Sequence, residues 1–262
     1  MTPSDLLDHL DHNRLWPAPC GLGLDEAYQQ ALAVRRLRMD RGEQPRGVKI
    51  GFTNRAIWPR YNVYAPIWGT VWNTTLTHCN GAGQLPLAGI CQPRLEPEIV
   101  FGMKSSPAAH ATLDQLFSAI EWVAPGFEVV QSHLPGWKFE AADTVADGGL
   151  HAHLLVGQPL PVQSLARSAL ALDSLLARAS VTLSKNNEPV EEGHGALVLD
   201  SPLRALQHVH QTLGACPGAP TLKAGDVVTT GTWTDAWPVR PGEHWSARFS
   251  APLGALAVRF TD

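Results

Sequence analysis

Paired cysteine is missing from this chain. Its four thiols, Cys20, Cys79, Cys91 and Cys216, stand at irregular spacings with no CxxC among them. Neither a disulfide framework nor a zinc site is therefore expected, and reduced thiols of a cytoplasmic protein are the plain reading. A basic surplus is missing too. Twenty Lys and Arg stand against 24 Asp and Glu, a formal charge of −4, which gives nucleic acid no electrostatic footing. No apolar run approaches the roughly 20 residues of a membrane helix, so no membrane partner is expected. The opening MTPSDLLDHLDHNRL has neither the basic start nor the apolar stretch of a secretory signal. Also absent are a nucleophile elbow, HExxH, a Walker loop and GxGxxG after a strand, which leaves nucleotide and nicotinamide chemistry without support. Charge is sparse, at 17%, against 44% hydrophobic residues over 262 positions. That balance excludes disorder and allows a large core in one domain or two.

Two helical segments open the chain. In the second, Tyr28, Ala31 and Leu32 share a face, Arg35, Arg36 and Arg38 lie toward the C-terminal end where cations suit the helix dipole, and Gly42 is a stop. Beyond them, short apolar runs are punctuated by 21 prolines and 23 glycines, as in a body rich in strands and turns. The runs include residues 48–50, 99–101, 127–130, 154–156, 180–184, 227–230, 245–249 and 255–260. One helix interrupts them: Ser201 caps it, Pro202 suits its first turn, and Leu203, Leu206, Val209 and Leu213 form its stripe. The elements do not alternate as βαβ, which disfavours a doubly wound sheet. The expectation is an α+β fold, with an N-terminal helical cap over residues 1–45 and a β-rich catalytic domain over 46–262.

The sharpest local feature is Arg94-Leu95-Glu96-Pro97-Glu98-Ile99-Val100-Phe101. Residues i and i+2 of a strand share a face, so Glu96 and Glu98 sit side by side and repel unless a cation lies between them. On spacing alone, two solvated glutamates at a strand edge remain the simpler account. A third acid, Glu128, stands alone inside Phe127-Glu128-Val129-Val130 and needs a partner or water. Lys49, in Gly47-Val48-Lys49-Ile50-Gly51, can face an anionic ligand or solvent, and Lys138, between Trp137 and Phe139, offers the same choice. Asp143 and Asp147 are four apart, on one face if helical. His151 and His153 share a strand face, and Thr229-Thr230-Gly231-Thr232 closes a strand with hydroxyls and backbone N–H groups suited to a carboxylate.

Taken together, GVKIGFTNRAIW (47–58), LEPEIVFG (95–102), IEWVAPGFEVVQSHLPGWKF (120–139), ADTVADGG (142–149), LKAGDVVTTGTWT (222–234) and LGALAVRF (253–260) resemble the 2-keto-4-pentenoate hydratase and 4-oxalocrotonate decarboxylase group of the fumarylacetoacetate hydrolase superfamily. The pieces run in that order from about residue 25 onward. The resemblance implies the mixed, β-rich fold of the fumarylacetoacetate hydrolase C-terminal type. It implies a divalent metal, Mg2+ or Mn2+, on Glu96, Glu98 and Glu128, and Lys49 against the substrate. Thr230, Gly231 and Thr232 are then expected near the substrate carboxylate, and Lys138 in the site wall. The implied activity is a lyase of aromatic catabolism that hydrates a 2-hydroxy-2,4-dienoate to a 4-hydroxy-2-oxo acid. Decarboxylation of a 4-oxalocrotonate-type enedioate, C–C hydrolysis of an acylpyruvate and a non-catalytic partner subunit are the alternatives. The resemblance also implies self-association, with a complex between related hydratase and decarboxylase as a further expectation. Two departures bear on proton transfer. Asn73 stands where the group carries an acid, and an amide is no base near neutrality. His151, with Asp147 or Asp143 as substitutes, is then the expected proton carrier, since an unperturbed imidazole titrates near neutrality. Trp58, Trp68, Trp72 and Trp137 are candidates for a pocket wall or for core.

Overall fold

The computed structural model describes all 262 residues, Met1–Asp262. Helices α1 (Pro3–Asp11) and α2 (Leu24–Asp40) come first. Thr2 caps α1 by accepting from the Asp5 amide, and Asp5 returns the bond to the Thr2 amide, which satisfies donors that a helix start leaves free. The strands, in chain order, are β1 Pro45–Gly51, β2 Ile67–Trp72, β3 Leu76–His78, β4 Ala82–Pro86, β5 Arg94–Met103, β6 Ile120–Val130, β7 His151–Val156, β8 Leu160–Pro161, β9 Ser180–Lys185, β10 Glu188–His194, β11 Val227–Thr229, β12 Trp237–Pro238, β13 His244–Phe249 and β14 Ala255–Thr261.

They form two sheets. The larger runs β2-β1-β11-β5-β6-β7-β3, with β12 on β5 and β8 on β6; the smaller runs β10-β9-β13-β14-β4. Parallel pairs (β1 with β11, β3 with β7, β14 with β4) mix with antiparallel ones, so the fold is α+β and not doubly wound. The helix at Pro202–Ala215 stands as its sequence indicates: the Ser201 hydroxyl accepts from the Leu203 amide, and Leu203, Leu206, Val209 and Leu213 are buried. Helices Leu113–Ala119 and Ala169–Arg178 were not expected. The latter begins Ala-Leu-Ala-Leu, which is strand-like in alternation, yet its buried residues Ala169, Leu172 and Leu176 have helical spacing. Leu6, Trp16 and Tyr28 of the N-terminal segment join the same apolar core as the sheet residues.

Register places the polar centre. Residues directly opposite in a ladder put their side chains on one face. Glu96 lies opposite Glu128, Glu98 opposite Gly126, and Val100 opposite both Ala124 and Thr229. Lys49 lies opposite Thr229 on one side and Gly69 on the other. One face of the large sheet therefore carries Lys49, three carboxylates and Thr229. The same face continues into a small apolar cluster of Val71, Val100, Ala124, Leu154, Val156 and Val227, a low-dielectric floor beneath the charges.

Candidate active site

Ligand atoms of Glu96, Glu98 and Glu128 all lie within 4.8 Å of one another. Glu98 and Glu128 are fully buried and Glu96 is half-buried. Lys49, only 2% exposed, brings its Nζ to 3.4 Å from Glu128 Oε2. The Thr229 hydroxyl and the Gly231 amide (2.7 Å) both donate to Glu98 Oε2. His151 Nδ1 lies 2.8 Å from Glu128 Oε1, and its Nε2 lies 2.9 Å from the Thr75 hydroxyl. A carboxylate only accepts, so Nδ1 carries the proton and Thr75 donates to Nε2. Two buried oxygens are left without a hydrogen bond, Glu98 Oε1 and Glu128 Oε2.

The electrostatics of this group are lopsided. Three carboxylates face one ammonium, and burying an uncompensated charge costs several kcal/mol. Burial raises Glu96 and Glu98 well above the usual carboxyl range, and Glu128 above it, with Lys49 pulling all three back. For Lys49, burial works against the cation, but Glu128, Glu96 and Glu98 together outweigh it and hold the ammonium above its ordinary pKa. The donor set is all oxygen, compact and starved of positive charge, and two of its buried oxygens accept no hydrogen bond, one of them meeting only the Lys49 ammonium at 3.4 Å. It fits a hard divalent cation of the magnesium or manganese kind rather than zinc, which prefers nitrogen and sulfur.

A narrow cleft leads to this group, lined at its inner end by Lys49, Glu96, Thr53 and Thr232. Its outer wall is aromatic. Tyr61 and Phe139 stack at 5.7 Å, and Phe52 meets both edge-on at 5.8 and 6.1 Å. Asp235 stands at the rim, paired with Arg60. Thr53, buried, has a hydroxyl without a partner.

The other residues singled out from the sequence are placed differently. The Thr230 hydroxyl donates to the Ile99 carbonyl at 2.8 Å, and that of Thr232 to the Thr234 carbonyl at 3.0 Å. In that turn it is Thr229 and the Gly231 amide that touch the acids. Lys138, expected in the site wall, is exposed and does not line the cleft, because chain alternation turns its neighbours Trp137 and Phe139 inward instead. Asp147, expected to be catalytic, accepts from the His133 amide at 2.8 Å and holds His133 Nδ1 at 2.6 Å. Burial opposes the His133 cation, but Asp147 outweighs it and pushes the imidazole up to about 10. Asp143 accepts from the amides of Cys20 and Glu140. Both aspartates are therefore engaged by protein donors, and neither lines this cleft. His151 does reach the acids, but burial, Lys49 and Arg38 push it well below the ordinary imidazole range, so it is neutral near neutrality instead of titrating there. Asn73 is exposed at a turn, where its side chain accepts from the Gln44 amide. The β2 side chain beside Lys49 is Ile67, which faces Gly51 in register. Of the four tryptophans, only Trp137 lines this cleft. Trp68 and Trp72 line a separate cavity against α1 and α2, and Trp58 packs edge-on against Tyr64. Thr53 and Tyr61 escaped sequence reasoning, and the sequence marks Thr229 only as part of a turn suited to a substrate carboxylate, not as a partner of Glu98. Thr229 shares the strand face of Lys49 only through pairing of β1 with β11, a contact between residues 180 apart in sequence that no local pattern encodes.

Comparison with known proteins agrees with this fold. The model of the fumarylacetoacetate (FAA) hydrolase C-terminal family matches residues 62–261. A 2-hydroxyhexa-2,4-dienoate hydratase of Comamonas testosteroni is 32% identical over 240 residues, covering 91% of this chain and 87% of that protein. A 2-keto-4-pentenoate hydratase of Burkholderia vietnamiensis is 30% identical over 227 residues, covering 86% and 82%. Among solved structures, 4-oxalocrotonate decarboxylase from Pseudomonas putida G7, complexed with magnesium and adipate, superposes with a TM-score of 0.86 over 98% of this chain and 95% of that one, at 24% identity.

Proposed function

The chain belongs to the fumarylacetoacetate hydrolase C-terminal family, and from its buried acid group we propose that it is a metal-dependent lyase that adds water to a 2-hydroxy-2,4-dienoate, giving a 4-hydroxy-2-oxo acid. The observation that carries this reading is the set of three carboxylates, two of whose buried oxygens accept no hydrogen bond, held beside a buried lysine at the inner end of a cleft.

Glu96, Glu98 and Glu128 would hold Mg2+ or Mn2+. When bound, the metal supplies the positive charge that stabilises an enolate developing on a 2-oxo acid. The protein's own groups do the rest. Thr229 and the Gly231 amide fix the Glu98 carboxylate, and His151 fixes that of Glu128, so the acids are preorganised and need no reorganisation during reaction. Lys49 keeps its proton and presents an ammonium to the substrate's oxygens. The Thr53 hydroxyl and the Thr232 segment line the end where the substrate carboxylate enters. The aromatic wall excludes bulk water, which strengthens every one of these interactions. Overall one water is added across a carbon–carbon double bond, with no oxidant or reductant consumed. Ketonisation of the dienol first gives a conjugated ketone, and water then adds at its far carbon.

The test is turnover by the purified chain alone. With Mg2+ or Mn2+ present, 2-hydroxyhexa-2,4-dienoate should lose its diene absorbance and gain the mass of one water. Loss of carbon dioxide from 4-oxalocrotonate in place of hydration would replace the hydratase by a decarboxylase. Turnover only after a second, related protein is added would make this chain a partner subunit.

A further inference from the structure

We propose that this cleft accepts 2-oxo acids with an uncharged, apolar tail and rejects those ending in a second carboxylate, and that Asp235 sets the choice. The inference rests on the acid group being the end that binds the 2-oxo acid head.

With the head placed there, the tail must lie along Phe52, Ile57, Tyr61, Trp137 and Phe139 toward Asp235 and Ala236. The rings brace one another: Tyr61 on Phe139 face to face, Phe52 edge-on to both, Trp137 tilted on Phe139 at 6.0 Å. Such a braced wall offers an alkyl tail contact area at little ordering cost. A terminal carboxylate pressed against it loses hydration and needs a cation in return. None is free. Lys49 sits at the head end, its Nζ 3.4 Å from Glu128 Oε2. Arg94 does not line the cleft; its guanidinium lies 4.2 Å over the Trp137 ring and donates to the Tyr61 hydroxyl at 3.0 Å. Arg60 is held by Asp235, and only the carboxylate of that pair lines the cleft. Asp235 is fixed further by accepting from the Ala236 amide at 2.9 Å. The charge that a tail meets at the rim is therefore negative, a repulsive element aimed at dianions.

The experiment compares 2-oxohexanoate with 2-oxohexanedioate, equal in chain length and differing only in the terminal group. Neither carries a diene, so neither can be hydrated, and binding is read by calorimetry on the full chain loaded with Mn2+. Wild type should bind the monoacid at least about tenfold more tightly, the scale expected when a buried charge finds no partner. In D235A, Arg60 is released, the diacid should gain, and the ratio should fall to near unity or invert. Adding R60A should remove that gain. D235N keeps the shape and the bond to Ala236, and it should narrow the ratio in the same direction. Equal binding of the two acids by wild type, an unchanged ratio in both Asp235 variants, or no binding of either acid would overturn the proposal. Failure of the hydratase reading is separate: it shows as binding of 2-oxohexanoate without hydration of 2-hydroxyhexa-2,4-dienoate.

Discussion

Lys49 owes its charge to its neighbours. Burial alone would strip the proton, and the three glutamates outweigh burial. The same ammonium repels any cation that the glutamates bind. Lys49→Met should therefore bind Mn2+ at least as tightly as wild type, while turnover falls about 10²-fold or more, the usual loss when a preorganised charge is removed from a site. Titration of Mn2+ and steady-state rates on one preparation check both halves; weaker metal binding or full activity would refute the role. Parts of this site are legible residue by residue. Two-residue spacing draws attention to Glu96 and Glu98, and an apolar run to Glu128, but on spacing alone a solvated strand edge is the simpler account, and only the family resemblance joins the three. Lys138 misleads because a lysine between aromatic residues offers the same letters whether it or its neighbours face inward. His151 misleads because an unperturbed imidazole titrates near neutrality, and only its burial beside Lys49 says that this one does not.

The turn after β11 works as an element rather than as separate residues. Gly231 has φ +101, and a Cβ there would meet the Thr53 Oγ1 at 1.8 Å. Its bare backbone lets the amide reach Glu98 while Thr53 stays in the cleft wall. Gly231→Ala should destabilise the fold by about 2–5 kcal/mol, combining left-handed strain with overpacking. Denaturant unfolding measures it, and a shift under about 0.5 kcal/mol, the scale of an ordinary surface change, would show that the turn relaxes freely. The dominant strands and the Pro202 helix follow from periodicity and caps. The Ala169–Arg178 helix does not, because small apolar residues in succession satisfy strand and helix patterns alike until a packing partner selects one.

At the scale of the whole molecule, the acid group is a store of unfavourable charge that a cation relieves. Metal bound only by the folded chain should stabilise it by about 2.7 kcal/mol at a hundredfold excess over Kd. Thermal unfolding with and without Mg2+ or Mn2+ checks this, and the shift should vanish in the Glu98→Gln, Glu128→Gln double variant. A metal-induced shift that survives in that variant would place the cation elsewhere.

The sequence by itself determined the α+β class and the N-terminal helices, because periodicity and caps are local signals, and it marked the acids as candidates. Tertiary structure alone decided that Lys49, from β1, and Thr229, from β11, join acids on β5 and β6. It also decided that His151 is neutral, that Asp147 pairs with His133, and that Asp235 lines the cleft. The physical reason is the same in each case. Charge state and access depend on dielectric and on neighbours brought together by strand pairing across the sheet, and neither quantity is carried by a residue's place in the chain.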